Sequence, residues 1–237
     1  MLPPALRRPL IRWRRRACEA VGLRRYSRPA LDGLDRKLER HLDFDGGFFI
    51  EAGAHDGIQQ SNTYYLERFR GWRGILVEGI PAQAVECRLN RPQATVVQTA
   101  LVATAQPGDR VDMHFGGLMS AVLGSLGDTS AIEAHVQIGL TMQNLASSYV
   151  VQVPARTLTM VLDEVRPGRE IDLLSLDVEG MEAEVLRGLD LTRYAPRYLC
   201  VEMREGSAVE EVLAGRYRLV EVLVDHGTRR DVLFQKV

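Results

Sequence analysis

Apolar residues along this chain gather in short unbroken runs, each followed by a loop and then by a segment with helical spacing. The run from Phe48 to Ile50 ends in Glu51, continues into a loop with Gly53 and Gly57, and helical spacing begins after Thr63. A short run that is apolar at every position is typical of a strand buried on both faces of a parallel sheet. The glycines allow the backbone to turn sharply and to approach a ligand closely. This stretch therefore predicts a strand, a glycine-rich loop and a helix.

The same alternation recurs through the rest of the chain. Further core strands are predicted at residues 75–78, 94–98, 171–177 and 198–202. Residues 217–224 and 230–234 predict a closing antiparallel pair. Repeated strand–helix units indicate an α/β fold, with a mostly parallel, doubly wound sheet and helices on both of its faces.

A basic segment precedes this alternation. Residues 1–44 predict a helical N-terminal extension to a main domain at residues 45–237, and residues 1–40 hold twelve Arg or Lys against four Asp or Glu. The favoured interpretation is a helix that packs on the domain through Trp13 and its neighbours. The alternative is a basic amphipathic segment that makes a peripheral contact with an anionic membrane or binds an acidic partner. Contacts between copies of this segment in a homo-oligomer are a further possibility.

The alternation weakens again in the middle of the chain. Residues 110–115 and 149–153 predict additional strands, but residues 117–147 are rich in Gly, Ser, Thr and Met and have weak periodicity. A long segment without clear structure inside a compact domain is usually functional or mobile. We interpret residues 117–147 as a substrate lid, the alternative being a surface insertion with no role in binding.

Overall composition narrows the choice of partners. A net charge of −1 gives no reason to expect nucleic acid. The three cysteines are far apart and match neither a zinc site nor a disulfide framework, which favours a reducing, cytoplasmic location. No apolar run approaches the roughly 20 residues needed to span a bilayer, so no transmembrane segment is expected.

Four acids stand at the carboxyl ends of predicted core strands, namely Glu51, Glu78, Asp177 and Glu202. The ends of parallel strands meet at one edge of a sheet, where ligands of open α/β folds bind. Buried acids are costly unless they bind something. Glu78 ends the second strand, where an acid can accept hydrogen bonds from both hydroxyls of a ribose. An adenosine-type cofactor is therefore expected.

The loop after the first strand bears on which cofactor this is. A nicotinamide enzyme would have Gly-x-Gly-x-x-Gly, with a pyrophosphate over the helix N-terminus. Here the loop runs Gly53-Ala54-His55-Asp56-Gly57, and the acids Glu51 and Asp56 would repel phosphates but accept a cationic sulfonium. S-adenosylmethionine fits better than NAD. A nicotinamide oxidoreductase and a non-catalytic nucleoside-binding module remain as alternatives.

Five blocks of sequence, taken together, resemble the FkbM family of S-adenosylmethionine-dependent O-methyltransferases. In chain order they are Phe49–Gly57, Ser61–Thr63, Leu76–Glu78, Leu176–Glu182 and Val185–Gly188. The resemblance implies a Rossmann-like class I methyltransferase fold. It also implies methylation of a hydroxyl, on a sugar, glycoside or oligosaccharide, or alternatively on a polyketide or other secondary metabolite.

The resemblance also implies roles for individual residues. The residues expected at the methionine end of the cofactor are Glu51, Gly53, His55 and Asp56. Ser61, Asn62 and Thr63 would close over it, and Glu78 would hold the ribose. A glycine is usual at the position of His55, so this histidine either contacts the ligand or bonds to the loop backbone.

Methyl transfer to an alcohol requires that the hydroxyl lose its proton, with the help of a base or a metal. Asp177 and Glu202, at adjacent strand ends, could hold Mg²⁺ through oxygen ligands, and Glu179 could be a third ligand or the general base. His135, in the predicted lid, is another candidate base. The alternative is that Asp177 and Glu179 cap the following helix.

Overall fold

The computed structural model describes residues 4–125 and 129–237. Its strands, in chain order, are β1 Phe48–Ala52, β2 Arg73–Glu78, β3 Thr95–Gln98, β4 Ala100–Leu101, β5 Arg110–Phe115, β6 Ala121–Val122, β7 Tyr149–Arg156, β8 Leu173–Leu176, β9 Tyr198–Arg204, β10 Tyr217–Asp225 and β11 Arg229–Lys236. Its α-helices are α1 Pro4–Ala20, α2 Leu34–Glu39, α3 Tyr64–Phe69, α4 Pro81–Asn90, α5 Thr129–Gln143, α6 Leu158–Val165, α7 Glu182–Arg187 and α8 Val209–Leu213. None of the helices described is both long and apolar enough to cross a bilayer.

Seven strands form the main sheet, in the order β10-β11-β9-β8-β1-β2-β3. The five strands from β9 to β3 run parallel, whereas β11 is antiparallel to both β9 and β10. This order confirms the predicted mostly parallel sheet with an antiparallel C-terminal pair. Strand β1 lies in the middle and is buried at all five positions, which explains its unbroken apolar run.

Successive side chains of β1 pack on opposite faces of the main sheet. Ile50 belongs to a core that includes Val161 of α6 and Val185 of α7. Phe49 belongs to a second core that includes Leu38 of α2 and Cys87 of α4. Helices therefore cover both faces, as the sequence predicts, and the carboxyl ends of the strands are left open at one edge.

A smaller sheet, in the order β4-β7-β5-β6, and helix α5 occupy the middle of the chain. The expectation that residues 117–147 lack clear structure is wrong for the described residues, because α5 fills fifteen of those positions, and residues 126–128 of this range lie outside the described residues. Its residues Ile132, Val136 and Leu140 form a small buried cluster. A spacing of four residues places these side chains on one face of a helix.

The N-terminal helix α1 contacts the domain through its polar face, whereas the sequence predicted contact through the face that carries Trp13. Trp13 is 68% exposed, so the interpretation that the helix packs through this residue is wrong. Contact is made instead by charged side chains, including Arg12, which pairs with Glu86 of α4, and Glu19, which is buried. The helical extension is thus held by polar contacts.

Candidate functional site

A cavity of about 290 Å³ opens at the carboxyl ends of β1, β2, β8 and β9. All four acids singled out in the sequence, Glu51, Glu78, Asp177 and Glu202, line this cavity. They meet there because their strands are parallel neighbours, so that the ends of the strands share one edge of the sheet. The parallel topology therefore places the four carboxylates around one ligand-sized space.

Gly53 lets two of these strand ends approach each other closely. Its φ is +86°, and an ideal Cβ at this position would lie 1.8 Å from the carbonyl oxygen of Asp177. No side chain fits in that gap, and the backbone conformation itself favours glycine. The amides of Gly53 and Ala54 both donate to the carbonyl of Val77, which fixes the loop against β2.

Glu78 is buried at the end of β2 and is oriented by the backbone. Its two carboxylate oxygens accept hydrogen bonds from the amide of His55 at 2.8 Å and from the amide of Ile80 at 2.7 Å. Burial raises the pKa of Glu78 above its ordinary value. Each carboxylate oxygen retains a further lone pair that can accept a hydrogen bond from a ligand hydroxyl.

His55 lines the cavity beside Glu78 and has a left-handed backbone conformation, with φ of 48°. Both ring nitrogens are buried, and neither has a hydrogen-bond partner among the described residues. The alternative that the ring bonds to the loop backbone is therefore not what the structure shows. The imidazole is left available for a ligand in the cavity.

Glu51 lies across the cavity floor and is engaged by the loop that follows. Its carboxylate accepts hydrogen bonds from the Ser61 hydroxyl at 2.8 Å, the Thr63 hydroxyl at 2.6 Å and the Asn62 amide at 2.8 Å. Ser61 and Asn62 also line the cavity, whereas Thr63 and Asp56 are not among its lining residues. These hydrogen bonds hold the loop against β1. The Thr63 hydroxyl donates to Glu51 rather than facing the cavity.

Asp56 instead closes the turn that precedes this loop. Its carboxylate accepts hydrogen bonds from the amides of Ile58 at 2.9 Å and Gln59 at 2.7 Å. Short polar side chains commonly stabilise turns in this way. The structure therefore places Asp56 behind the cavity wall rather than in it.

Arg91, at the end of α4, supports the same loop and was not singled out from the sequence. It is 1% exposed and donates to the Gly57 carbonyl, the Ser61 hydroxyl and the Thr63 hydroxyl. Its guanidinium lies 2.9 Å from the carboxylate of Glu67 and 3.7 Å from that of Glu51. In the sequence, Arg91 is only the residue that follows helix α4, and nothing in the sequence pattern indicates that it supports the loop.

Three carboxylates form a cluster on the other side of the cavity. Asp177, Glu179 and Glu202 each offer an oxygen, and these oxygens all lie within 4.8 Å of one another. Asp177 Oδ1 and Glu202 Oε1 are buried and have no hydrogen-bond partner among the described residues. Burial, with the neighbouring Glu202 carboxylate, raises the pKa of Asp177 well above its ordinary value. Burial, with the Glu179 carboxylate, raises the pKa of Glu202 to about 8.

Three basic side chains, those of Arg204, Arg229 and His135, contact this acidic cluster. Glu179 Oε2 lies 2.5 Å from Arg204 Nη2 and 2.9 Å from Nε2 of His135 on α5. Glu202 Oε2 lies 3.3 Å from Nε of Arg229. Arg229 lines the cavity, but His135 does not, so the histidine reaches the site only through Glu179.

The alternative that Asp177 and Glu179 cap the helix α7 does not match the structure. The turn before α7 is bonded instead by Glu182, whose Oε1 accepts from the amides of Val178 at 2.9 Å and Gly180 at 3.1 Å. Glu179 itself has a left-handed φ of 55° and directs its carboxylate to Arg204. Both acids are therefore free of a capping role.

Part of the segment predicted as a lid forms one wall of the cavity. The lining residues from this segment are Gly117, Leu118, Met119, Ser120, Val122, Gly139, Met142 and Gln143. Close packing holds the wall together, since an ideal Cβ at Gly139 would lie 2.3 Å from the Gly116 carbonyl oxygen. The cavity is thus enclosed by both the α5 region and the loops after the main strands.

One comparison with known proteins, against models of protein families, identifies a family for this chain. Residues 51–229, about three quarters of the chain, match the family model described as "Methyltransferase FkbM domain". A comparison with curated proteins found no match.

Several solved structures are similar to this chain at low sequence identity. A TehB-like SAM-dependent methyltransferase from Corynebacterium glutamicum is 14% identical with a TM-score of 0.44, over 99% of this chain and all of that one. A precorrin-6y C5,15-methyltransferase from Geobacter metallireducens is 10% identical with a TM-score of 0.44, over 87% of this chain and 89% of that one. TrmN from Thermus thermophilus is 11% identical with a TM-score of 0.47, over 90% of this chain and 53% of that one. The chain thus spans about half the length of TrmN.

Proposed function

Because the chain belongs to the FkbM family of S-adenosylmethionine-dependent methyltransferases, we propose that it transfers a methyl group to a hydroxyl of a sugar, glycoside or oligosaccharide. Family membership removes the nicotinamide oxidoreductase as an alternative. The observation that carries the proposal is the cavity itself, which has a backbone-oriented carboxylate, Glu78, on one side and the three-carboxylate cluster on the other.

S-adenosylmethionine occupies the side of the cavity formed by the loop after β1. Glu78 would accept hydrogen bonds from the two ribose hydroxyls, because two backbone amides already orient its oxygens and each oxygen keeps a free lone pair. His55, Gly53 and the Ser61–Asn62 segment surround the methionine end. Glu51 and Arg91 hold this loop in place, and Thr63 and Asp56 support it from behind the wall.

Magnesium fits the cluster of Asp177, Glu179 and Glu202. Hard divalent cations prefer carboxylate oxygens as ligands. Asp177 Oδ1 and Glu202 Oε1 are buried and have no hydrogen bond among the described residues, so a bound cation would give each of them a partner. When bound, Mg²⁺ lowers the effective pKa of an acceptor hydroxyl. Asp177 and Glu202 would be the principal ligands, because each has a buried oxygen without a hydrogen bond, although the other oxygen of Glu202 lies 3.3 Å from Arg229. Glu179 Oε2, by contrast, lies 2.5 Å from Arg204 and 2.9 Å from His135.

Glu179 is the candidate for the group that removes the hydroxyl proton. It lines the cavity, and its carboxylate is held by contacts on the far side from the cavity. His135 lies behind it at 2.9 Å and acts on the acceptor through Glu179, as a positioning residue. The acceptor itself would contact Glu179 and the ligand oxygens of Asp177 and Glu202.

Polar side chains around the acceptor side favour a hydroxyl-rich molecule. Gln143, Arg229 and Asp231 line the cavity outside the loop after β1, and their side chains can form hydrogen bonds with sugar hydroxyls. The second candidate is O-methylation of a polyketide or other secondary metabolite. It is favoured by the apolar lining residues Leu31, Leu34, Met113 and Met142.

Calorimetric titration with S-adenosylhomocysteine, with and without Mg²⁺ and with NAD⁺ as a control, tests the cofactor assignment. We expect binding of the homocysteine product, no binding of NAD⁺, and weaker binding to Glu78→Ala, which removes the acceptor of the ribose bonds. Glu86→Ala, an exposed-surface change on α4, is the matched control and should bind as the wild type does. An affinity unchanged by Glu78→Ala would refute the ribose assignment.

Turnover tests the acceptor and the metal. Methyl transfer from labelled S-adenosylmethionine to a panel of methyl glycosides and oligosaccharides, with hydroxylated polyketides alongside, distinguishes the two acceptor classes. Asp177→Asn should abolish Mg²⁺-dependent turnover while S-adenosylhomocysteine still binds. Full turnover in the presence of a strong chelator would refute the metal assignment and leave the cofactor assignment unaffected.

A further inference from the structure

Helix α1 presents its apolar face to solvent and its polar face to the domain. Leu10 is 49% exposed, Ile11 47% and Trp13 68%. The side chains of Arg12, Arg15 and Glu19 lie on the opposite side of the helix, against the domain. Surface helices of soluble domains normally bury the apolar side. The orientation of α1 is therefore reversed.

Specific polar contacts hold the helix in this orientation. Arg12 Nη2 lies 2.6 Å from Glu86 Oε2 on α4, and Arg15 Nε donates to the Tyr26 carbonyl at 2.9 Å. Glu19 is buried and its carboxylate accepts hydrogen bonds from three side chains, those of Ser27, Tyr64 and Arg68. A buried carboxylate satisfied by three donors resists rotation of the helix, because each donor would be lost.

The exposed apolar surface extends beyond the helix. Val21 and Leu23, in the turn that follows α1, are 72% and 56% exposed. Arg16 donates to the Leu89 carbonyl of the neighbouring helix α4, where the Leu89 side chain is also exposed. Several exposed apolar side chains close together in the sequence, at the N-terminal helix and the turn after it, are consistent with an interaction surface.

The charged side chains near this surface are mostly arginines. Residues 10–28 contain seven arginines, no lysine and one acid, and four of the arginines, Arg14, Arg16, Arg24 and Arg25, are exposed. The acid, Glu19, is buried in contacts with the domain, so it does not offset the exposed arginines. Arg14 follows Leu10 by four residues, on the same face of α1, and its guanidinium lies over the Tyr26 ring at 4.2 Å. The partner of this surface therefore has an apolar interior and an anionic boundary.

We propose that α1 docks this protein on an anionic phospholipid bilayer, with Leu10, Ile11 and Trp13 in the headgroup–acyl boundary and the arginines on the lipid phosphates. A helix that is apolar on one side and arginine-rich around it is the form that lies in a membrane interface. A second copy of the chain would bring two surfaces of the same sign together in an isologous contact. A nucleic acid would satisfy the arginines but leave the apolar stripe in water.

Tryptophan fluorescence tests the proposal directly. The chain has two tryptophans, and Trp72 is fully buried, so a change in emission on membrane binding reports Trp13. Titration with vesicles of phosphatidylglycerol and phosphatidylcholine in equal parts should shift the emission to the blue and sediment the protein. Added salt should weaken this binding, and vesicles of phosphatidylcholine alone should bind little.

Leu10→Glu should lower the vesicle partition coefficient by about tenfold or more, because it puts a charge where an apolar side chain enters the boundary. Leu219→Glu is the matched control, since Leu219 is 48% exposed on β10, away from α1, and this variant should bind as the wild type does. Glutamate is a good helix former, so Leu10→Glu leaves α1 intact. Circular dichroism with unchanged thermal unfolding checks this.

Four results would overturn the proposal. The first is an absence of vesicle binding by the wild type at low salt, and the second is equal binding by the Leu10→Glu and Leu219→Glu variants. The third is binding of a single-stranded oligonucleotide that displaces the vesicles and is unaffected by Leu10→Glu, which would assign the surface to nucleic acid. Concentration-dependent dimerisation that Leu10→Glu abolishes, without vesicle binding, would assign it to a second copy of the chain.

Discussion

Replacement of Arg91 by methionine should destabilise the protein more than any change at a neighbouring surface arginine. The methionine keeps the apolar stem but removes hydrogen bonds to Gly57, Ser61 and Thr63 and leaves the Glu67 carboxylate without its cation. Removal of one partner of a buried ion pair costs about 3–5 kcal/mol. For a chain of this length, that lowers the midpoint of thermal unfolding by about 6–20 °C.

Thermal unfolding followed by circular dichroism measures this effect, with Arg88→Met as the matched control. Arg88 is on α4 as well, but it is exposed and makes one 3.5 Å contact with the Val96 carbonyl, so its loss should cost under about 0.5 kcal/mol. Adding Glu67→Gln to Arg91→Met should recover part of the loss, because the unpaired carboxylate is then neutral. Midpoints of Arg91→Met and Arg88→Met that agree would refute the reasoning. S-adenosylhomocysteine should also bind Arg91→Met more weakly, since the loop loses its anchor.

Further predictions concern backbone fit, a buried acid and the turn before α7. Gly53→Ala should abolish S-adenosylhomocysteine binding, because the new Cβ would lie 1.8 Å from the Asp177 carbonyl oxygen. Gly46→Ala is the control and should bind normally in the same titration, because Gly46 also has a positive φ but no atom lies within 4 Å of its added Cβ. Burial raises the pKa of Asp35, so the folded state favours the protonated carboxyl. The free energy of unfolding therefore falls as the pH rises above 3.8, the ordinary pKa of an aspartate. Asp35→Asn should therefore be more stable than the wild type in urea unfolding at neutral pH, and a difference that persists below pH 3.8 would contradict this. Glu182→Ala removes the acceptor of two amides at 2.9 Å and 3.1 Å, and unfolding should show a loss of about 1–3 kcal/mol, whereas no loss would mean that water replaces the carboxylate.

The main sheet was predictable from the sequence because its strands are buried on both faces. Such strands leave continuous apolar runs, and their ends are marked by a carboxylate, as at Glu51 and Glu78. Parallel topology then brings the ends together without further information. This is why the meeting of the acids around one cavity could be anticipated from the order of the runs alone.

Helix α5 was missed although a signal for it is present. Ile132, Val136 and Leu140 repeat at a spacing of four and are all buried. Gly139 within the repeat and the many small polar residues around it weaken the helical pattern. The glycine is required by the approach of the Gly116 carbonyl, so the residue that hides the helix in the sequence is the one that lets it pack.

The cationic partners of the acids could not be predicted from sequence. Arg91 and Arg229 are among many arginines in the chain, and no spacing relates them to Glu51 or Glu202. Arg204 stands two residues after Glu202 on β9, which relates these two, but its closer contact with Glu179 has no such signal. Ion pairing depends on which side chains the fold brings within a few ångströms, and a long flexible side chain can reach several partners. Sequence patterns therefore indicate where acids gather but not which of them are neutralised.

Tyr64 connects the N-terminal helix to the cofactor side of the cavity. Its hydroxyl donates to Glu19 of α1 at 2.8 Å, and its amide donates to the Ser61 hydroxyl at 3.1 Å. The same Ser61 hydroxyl donates to Glu51. The polar face of α1 thus belongs to the network that holds the loop, while the exposed stripe of Leu10 and Trp13 touches none of it. Because the network uses only the polar face of α1, the exposed side chains of Leu10 and Trp13 are left for the membrane contact that we propose.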